Sequence, residues 1–174
     1  MNDSQSNDFS RALVADGPAP QFRARLRRFG QLVGTWNVHG TQLNEATGQW
    51  ADRSFTWIVS FVLGGLGVQD VEVVPSEDDP AVAVTIASAL RIYDPIAGVV
   101  RVSYFGPARN QYANLVAIGW RDGIRQDGTQ NDGRLVRWNF SSIKADSYVW
   151  DGWVSSDDGS TWEHIEHLEG TRGG

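Results

Sequence analysis

His164 and Glu166 stand two residues apart in the run Trp162-Glu-His-Ile-Glu-His-Leu168, and on an extended chain that spacing sends both side chains to one side. A carboxylate beside an imidazole orients the ring and raises its basicity, so this pair is the candidate general base of the sequence. The same spacing also suits a structural pair bonded to backbone or solvent, and no nucleophile accompanies it. His39, His164 and His167 are the three histidines of the chain. Strand geometry turns residues 164 and 167 to opposite faces, so a histidine metal centre is not expected. Haem needs only one axial histidine, which the histidine count leaves open. No cofactor is otherwise implied.

Other polar residues fall in phase with apolar ones. Gln69 alternates with Val71 and Val73, Ser88 with Leu90, and Asn114 with Tyr112 and Val116, which places Gln69, Ser88 and Asn114 on inward faces. Asp70 and Arg91 then point outward, where an ion pair between neighbouring strands accounts for both. A bulge or a different phase instead sends the same two charges inside as the strongest polar anchors of the interior. The glycine-rich Val62-Leu-Gly-Gly-Leu-Gly67 lacks the lysine and following helix of a phosphate loop and reads as a hairpin turn. No Gly-x-Ser-x-Gly elbow, paired-carboxylate glycosidase motif or His-Glu-x-x-His helix occurs.

The elements that must position these residues are strands. Beyond Val33 the chain consists of runs rich in Val, Ile, Thr and aromatics, near 34–43, 50–62, 67–74, 82–93, 98–105, 111–120, 123–127, 134–142, 147–155 and 161–169. Turn residues separate them, at Glu45-Ala-Thr-Gly48, Asp94-Pro-Ile-Ala-Gly98, Asp122-Gly123, Asn131-Asp-Gly133 and Asp157-Asp-Gly-Ser160. Links this short join antiparallel neighbours, and a meander of them pairs its last strand with its first or leaves exposed edges. The expected fold is therefore all-β, an antiparallel barrel of about eight to ten strands. Phe22, Leu26, Phe29 and Leu32 recur at spacings of three and four and predict a short N-terminal helix over 21–32. Residues 1–20 read as a flexible tail, 21–170 as a single barrel domain with its helix, and 171–174 as a flexible C-terminus.

Alternation puts an aromatic stripe inside: Phe55, Trp57, Val59 and Phe61, joined by Trp36 and Val38. Leu90 and Ile92 from the fourth strand, Val100, Val102 and Tyr104 from the fifth, and Val136, Trp138 and Phe140 from the eighth are also placed inward. Several polar groups in such an interior describe a small-molecule site, whereas a lumen just wide enough for its own side chains describes a filled core. A formal net charge of −6 disfavours nucleic acid and anionic membrane as partners. The chain has no cysteine, its first residues lack the basic and apolar regions of a signal peptide, and no apolar run of membrane-spanning length occurs. A cytoplasmic location is expected.

Leu32-Val-Gly-Thr-Trp-Asn-Val-His-Gly40 resembles the opening strand of lipocalin-type (calycin-type) barrels, in which a Gly-x-Trp follows a short helix and the Trp plugs one end. Gly34 and Trp36 match that pattern. Gly67-Val-Gln-Asp-Val71, Leu90-Arg-Ile-Tyr-Asp-Pro95, Trp150-Asp-Gly-Trp153 and Asp157-Asp-Gly-Ser-Thr-Trp162 resemble a bacterial lipocalin-like domain family without an established activity, over residues 28–170. The resemblance draws attention to Gln69, Asp70, Arg91 and Tyr93. Glu72 departs from it, standing where a larger apolar residue is expected, and bears on the inward phase of its strand.

The leading expectation is a barrel that binds a small, largely apolar molecule. Its wall is Trp36, Trp57, Tyr104 and Trp138, and its polar contacts are Gln69, Asn114, His164 and Glu166, with Asp70 and Arg91 as the anchors of the alternative phase. A second reading is an isomerase or cyclase of a polyketide-like or other apolar metabolite, with His164 and Glu166 catalytic and proximity lowering the barrier. A third is a non-catalytic interaction domain that docks a partner or forms a homodimer.

Overall fold

A computed structural model describes residues 3–173; the expectations placed on Met1, Asn2 and Gly174 lie outside them. The chain opens with helix α1 (Asp3–Leu13), the two-residue strand β1 (Val14–Ala15) and the short helix α2 (Arg27–Gly30). The strands that follow are β2 (Gly34–Asn44), β3 (Gln49–Val62), β4 (Gly67–Pro75), β5 (Ala83–Asp94) and β6 (Val99–Gly106). They continue as β7 (Gln111–Trp120), β8 (Gly123–Gln130), β9 (Leu135–Ser141), β10 (Ser147–Ser155) and β11 (Glu163–Arg172). Each predicted strand is present. Several turns are fixed by a side chain that mimics a backbone turn: Asn44 Oδ1 accepts from Ala46 N and Thr47 N at 3.1 and 3.3 Å, and Asp94 Oδ1 accepts from Ile96 N and Ala97 N at 3.0 and 3.1 Å.

Strands β2–β11 pair antiparallel in the order β3-β2-β11-β10-β9-β8-β7-β6-β5-β4, and β4 returns to β3 to close a ten-stranded barrel. Ten strands enclose a wider lumen than eight, which explains why the interior is filled with Trp, Tyr and Phe. The predicted inward stripes of β2, β3, β6 and β9 are all buried, from Trp36 and Val38 to Val136, Trp138 and Phe140.

Register overturns the predicted phase of β4, β5 and β7. Residues directly opposite share a face. Because Trp57, Val59 and Phe61 point inward, their partners Glu72, Asp70 and Val68 must do so too. Arg91 and Ala89 follow inside from Val102 and Tyr104, and Ala113, Leu115 and Ala117 from Tyr104, Val102 and Val100. Gln69, Ser88, Leu90, Ile92 and Asn114 therefore belong to the outer wall. A bulge between Glu72 and Val73 leaves Ile86 without a direct partner on β4.

The predicted helix over 21–32 is a one-turn 3₁₀ segment, Pro20–Phe22, then α2; Pro20 opens the first, and Gly30 ends the second. Leu26, Phe29 and Leu32 are buried, a contribution of about 1.5–3 kcal/mol each, and together they close one barrel end. Trp36 donates its Nε1–H to Leu32 O at 2.7 Å, and the Arg172 guanidinium lies 3.9 Å from the centre of the Trp36 ring. The three donor groups of that guanidinium bond Ala145 O, Val33 O and Gln31 O at 2.9, 2.6 and 2.9 Å. Gly34, with φ +128°, leaves room for it, since a Cβ would stand 2.3 Å from Arg172 Nη1.

Residues left out of the expected fold are structured as well. Val14 and Ala15 pair with Val62 and Phe61, beyond the end of β2, and Ala19 N donates to Gly65 O at 2.9 Å. At the other terminus β11 runs on to Arg172, opposite Trp36. Among the described residues no helix is long and apolar enough to cross a membrane.

Candidate functional site

The lumen holds a cavity of about 50 Å³, several times the ~10–15 Å³ that one water requires. Its apolar wall comes from β3, β9 and β10: Phe55, Trp57, Trp138, Phe140, Tyr148 and Trp150. These rings pack on one another, Trp57 on Phe140 at 5.6 Å, Trp138 on Trp150 at 5.9 Å, and Tyr104 edge-on to Trp138 at 5.2 Å. Small residues opposite them on β5 and β7, Ala87, Ala89, Ala113 and Ala117, are what the taper of a small barrel requires.

Three arginines and three carboxylates share this lining: Arg53, Arg91, Arg109, Asp70, Glu72 and Glu166. Formally their charges cancel. Arg53, inward because it continues the odd-numbered stripe of β3, bridges Glu166 and Glu72, the latter at 2.5 Å, and lies 4.6 Å from the Phe55 ring centre. Burial pulls the Arg53 guanidinium below its usual pKa, against the opposing pull of Glu72. The Tyr104 hydroxyl donates to Glu72 at 3.3 Å and accepts from Arg109 Nη2 at 2.5 Å. Burial, and then the Glu72 charge, push the Tyr104 phenol up to about 12. Deeper, Arg91 pairs with Asp70, whose other oxygen accepts from Ala89 N at 3.1 Å. Tyr148 is also raised, chiefly by burial. Two buried guanidinium nitrogens, Arg91 Nε and Arg109 Nη1, have no hydrogen-bond partner among the described residues.

Of the predicted site residues, Trp57, Tyr104, Trp138, Asp70, Arg91 and Glu166 line the cavity, and Trp36 lies in the buried core against Leu26, Phe29 and Leu32, with which it forms the plug of that barrel end. Asp70 and Arg91 do pair across neighbouring strands, but inside, as the alternative phase required. Gln69 instead bonds Ser88 Oγ at 3.1 Å on the outer wall, and Asn114 accepts from Ser103 Oγ at 3.1 Å in an exposed position.

His164 and Glu166 do not form a pair. A bulge in β11 sets Glu166 opposite Gly152 and His164 opposite Trp153, leaving Ile165 as the extra residue. Glu166 enters the lumen while His164 turns outward. There it joins His167, which an unbroken strand would have kept on the other face. Asp151 Oδ1 lies 2.9 Å from His164 Nε2 and 2.8 Å from His167 Nδ1. Asp151 raises the pKa of His167, with a smaller contribution from Glu169. His39 is exposed and bonds Ser54 Oγ at 2.9 Å.

Sequence reasoning missed Arg53, Glu72, Arg109, Tyr148 and Trp150. Extending the β3 stripe by two residues finds Arg53, and counting across the turn from Phe61 to Val68 finds Glu72. Fold and lumen together define a closed antiparallel β-barrel with a partly charged interior. No protein-family model matches the chain, and no curated protein matches it.

Proposed function

We propose that this is a lipocalin-like binding barrel whose lumen takes a small molecule with an apolar body and one hydrogen-bond-accepting group. The carrying observation is Arg109, which lines the aromatic-walled cavity and carries a buried Nη1 with no partner among the described residues. An unmade hydrogen bond of a buried charged donor costs roughly 1–3 kcal/mol or more, and a ligand acceptor relieves it. Since the six lining charges cancel, a neutral acceptor such as a carbonyl suits the site better than a further anion. The available space, about 50 Å³, is far below the ~300–1,000 Å³ of drug-sized pockets. The ligand is therefore small, or Trp150 and Arg109 swing aside to admit it.

The isomerase or cyclase reading took its acid–base pair from His164 and Glu166, which stand on opposite faces of the wall. In the lumen, Asp70, Glu72 and Glu166 are each held by an arginine, an arrangement that suits orientation better than proton transfer.

Intrinsic Trp fluorescence and thermal shift across a panel of hydrophobic metabolites, short ketones and esters, and haem test the binding reading. A hit should quench or shift Trp emission, and Arg109→Met should weaken it by roughly tenfold, the loss of one charge-assisted hydrogen bond. Silence across the panel sinks the proposal.

A further inference from the structure

Among the described residues, one group of three His and carboxylate side chains brings its ligand atoms within 4.8 Å of one another: Asp151, His164 and His167, on the outer wall. We propose that these three side chains form a binding site for a divalent transition-metal ion of the zinc type. The site is independent of the lumen and of the ligand proposed for it.

The donor set is two imidazoles and one carboxylate, which suits zinc, cobalt, nickel or copper better than the all-oxygen preference of magnesium and calcium. All three ligands stand on paired strands. Asp151 is directly opposite His167, and the bulge turns His164 onto the same face opposite Trp153. Were Ile165 paired in regular alternation opposite Trp153, His164 would fall opposite the buried Val154 and point into the barrel, so the bulge assembles the set. Such irregularities re-aim side chains beside functional sites.

The surroundings favour metal ligation. Glu169 Oε1 lies 3.5 Å from His167 Nε2, and a carboxylate on the far nitrogen of a ligating histidine fixes the ring and raises its basicity. That leaves Nδ1, the nitrogen facing Asp151, for the ion. Trp50 and Trp153 flank the His164 ring at 5.6 and 5.2 Å between centroids and restrict its rotation. The present separations of 2.8 and 2.9 Å between the nitrogens and Asp151 Oδ1 must open to about 3.3 Å for tetrahedral ligation with bonds near 2.0–2.1 Å. Side-chain exposures of 39% and 40% for the two histidines leave freedom for that adjustment. Three protein ligands leave a position open to water or an added ligand.

The test uses the full chain after chelator treatment, titrated with zinc by calorimetry and with cobalt by its visible bands, at neutral pH. One ion should bind per chain, and zinc should raise the melting temperature, because an ion that binds only the folded state stabilises it. His164→Ala, His167→Ala and Asp151→Asn should each weaken binding by about tenfold or more, while Glu169→Gln should weaken it less. His39→Ala, on the same outer wall, should leave affinity unchanged. Circular dichroism of the metal-free variants reports folding, and His164→Gln with His167→Gln replaces any alanine variant that fails to fold. No saturable zinc binding to the wild type, or affinity retained in the His164/His167 double variant, overturns the site. Loss of binding on His39→Ala alone overturns this ligand assignment.

Discussion

Replacing Arg53 by Met removes the group that bridges Glu72 and Glu166 and, among the described residues, leaves the buried Glu166 without a cation. Breaking a buried ion pair from one side costs about 3–5 kcal/mol, whereas replacing all members by apolar residues is often neutral. Arg53→Met should therefore lower urea-derived stability by that amount, and the double variant Arg53→Met, Glu166→Leu, which leaves Glu72 to Arg109, should recover most of it. A double variant no better than the single one would mean that the loss lies in packing around Phe55 rather than in charge. Tyr104 supplies a second expectation. Its folded pKa is raised to about 12 by burial, against about 10 in an unfolded chain, so its neutral form favours folding. That contribution is complete below about pH 10 and is lost as pH rises through about 12. Tyr104→Phe should remove the dependence, seen as the loss of one late tyrosinate step in alkaline absorbance titration.

Each element has its own weak point. In the turn between β10 and β11, Asp157 accepts from Thr161 Oγ1 at 2.7 Å and Thr161 N at 2.8 Å, and the Thr161 bonds depress its pKa to about 2. Its folded pKa lies below the unfolded value of about 3.9, so its stabilisation is present above about pH 4 and disappears as pH falls through about 2. Asp157→Asn should be less stable than wild type at neutral pH, and the difference should vanish near pH 2 in denaturant titrations at each pH. Strand existence and boundaries were legible in the sequence, because Val, Ile, Thr and aromatic runs end at Gly, Asn and Asp. Phase was legible where size and polarity agreed, as in Phe55, Trp57, Val59 and Phe61. It failed where they conflicted. In β7 the larger Tyr112, Val116 and Ile118 are exposed, and the interior takes Ala113, Leu115 and Ala117, since a lumen already filled by tryptophan needs small residues opposite. In β4, Asp70 and Glu72 looked too polar to be inside, and only their arginine partners, distant in sequence, make the placement tolerable. The two bulges gave no local signal at all, which is why the split of His164 from Glu166 escaped a reading based on alternation.

At the scale of the whole molecule, closure depends on pairing between chain ends. Strand β11 sits between β10 and β2, with Leu168 opposite Gly40 and Arg172 opposite Trp36. Almost all other pairings join strands adjacent in sequence, so closure through β2 and β11 carries the largest loop-entropy cost and is expected late in folding. Removing β11 would expose the edges of β2 and β10, deprive Arg53 of Glu166 and strip Arg172 from the Trp36 ring. Open edges recruit other chains. A chain ending at Trp162 should therefore associate in size-exclusion chromatography with light scattering, and its Trp emission should shift to the red as Trp36 loses its cover. Arg172→Ala in the full chain separates the two effects. It keeps the ladder closed and removes only the guanidinium over Trp36, so it should stay in the wild-type association state while its melting temperature falls. If Arg172→Ala instead associates as the truncated chain does, the plug rather than the β2–β11 ladder is what keeps the barrel shut.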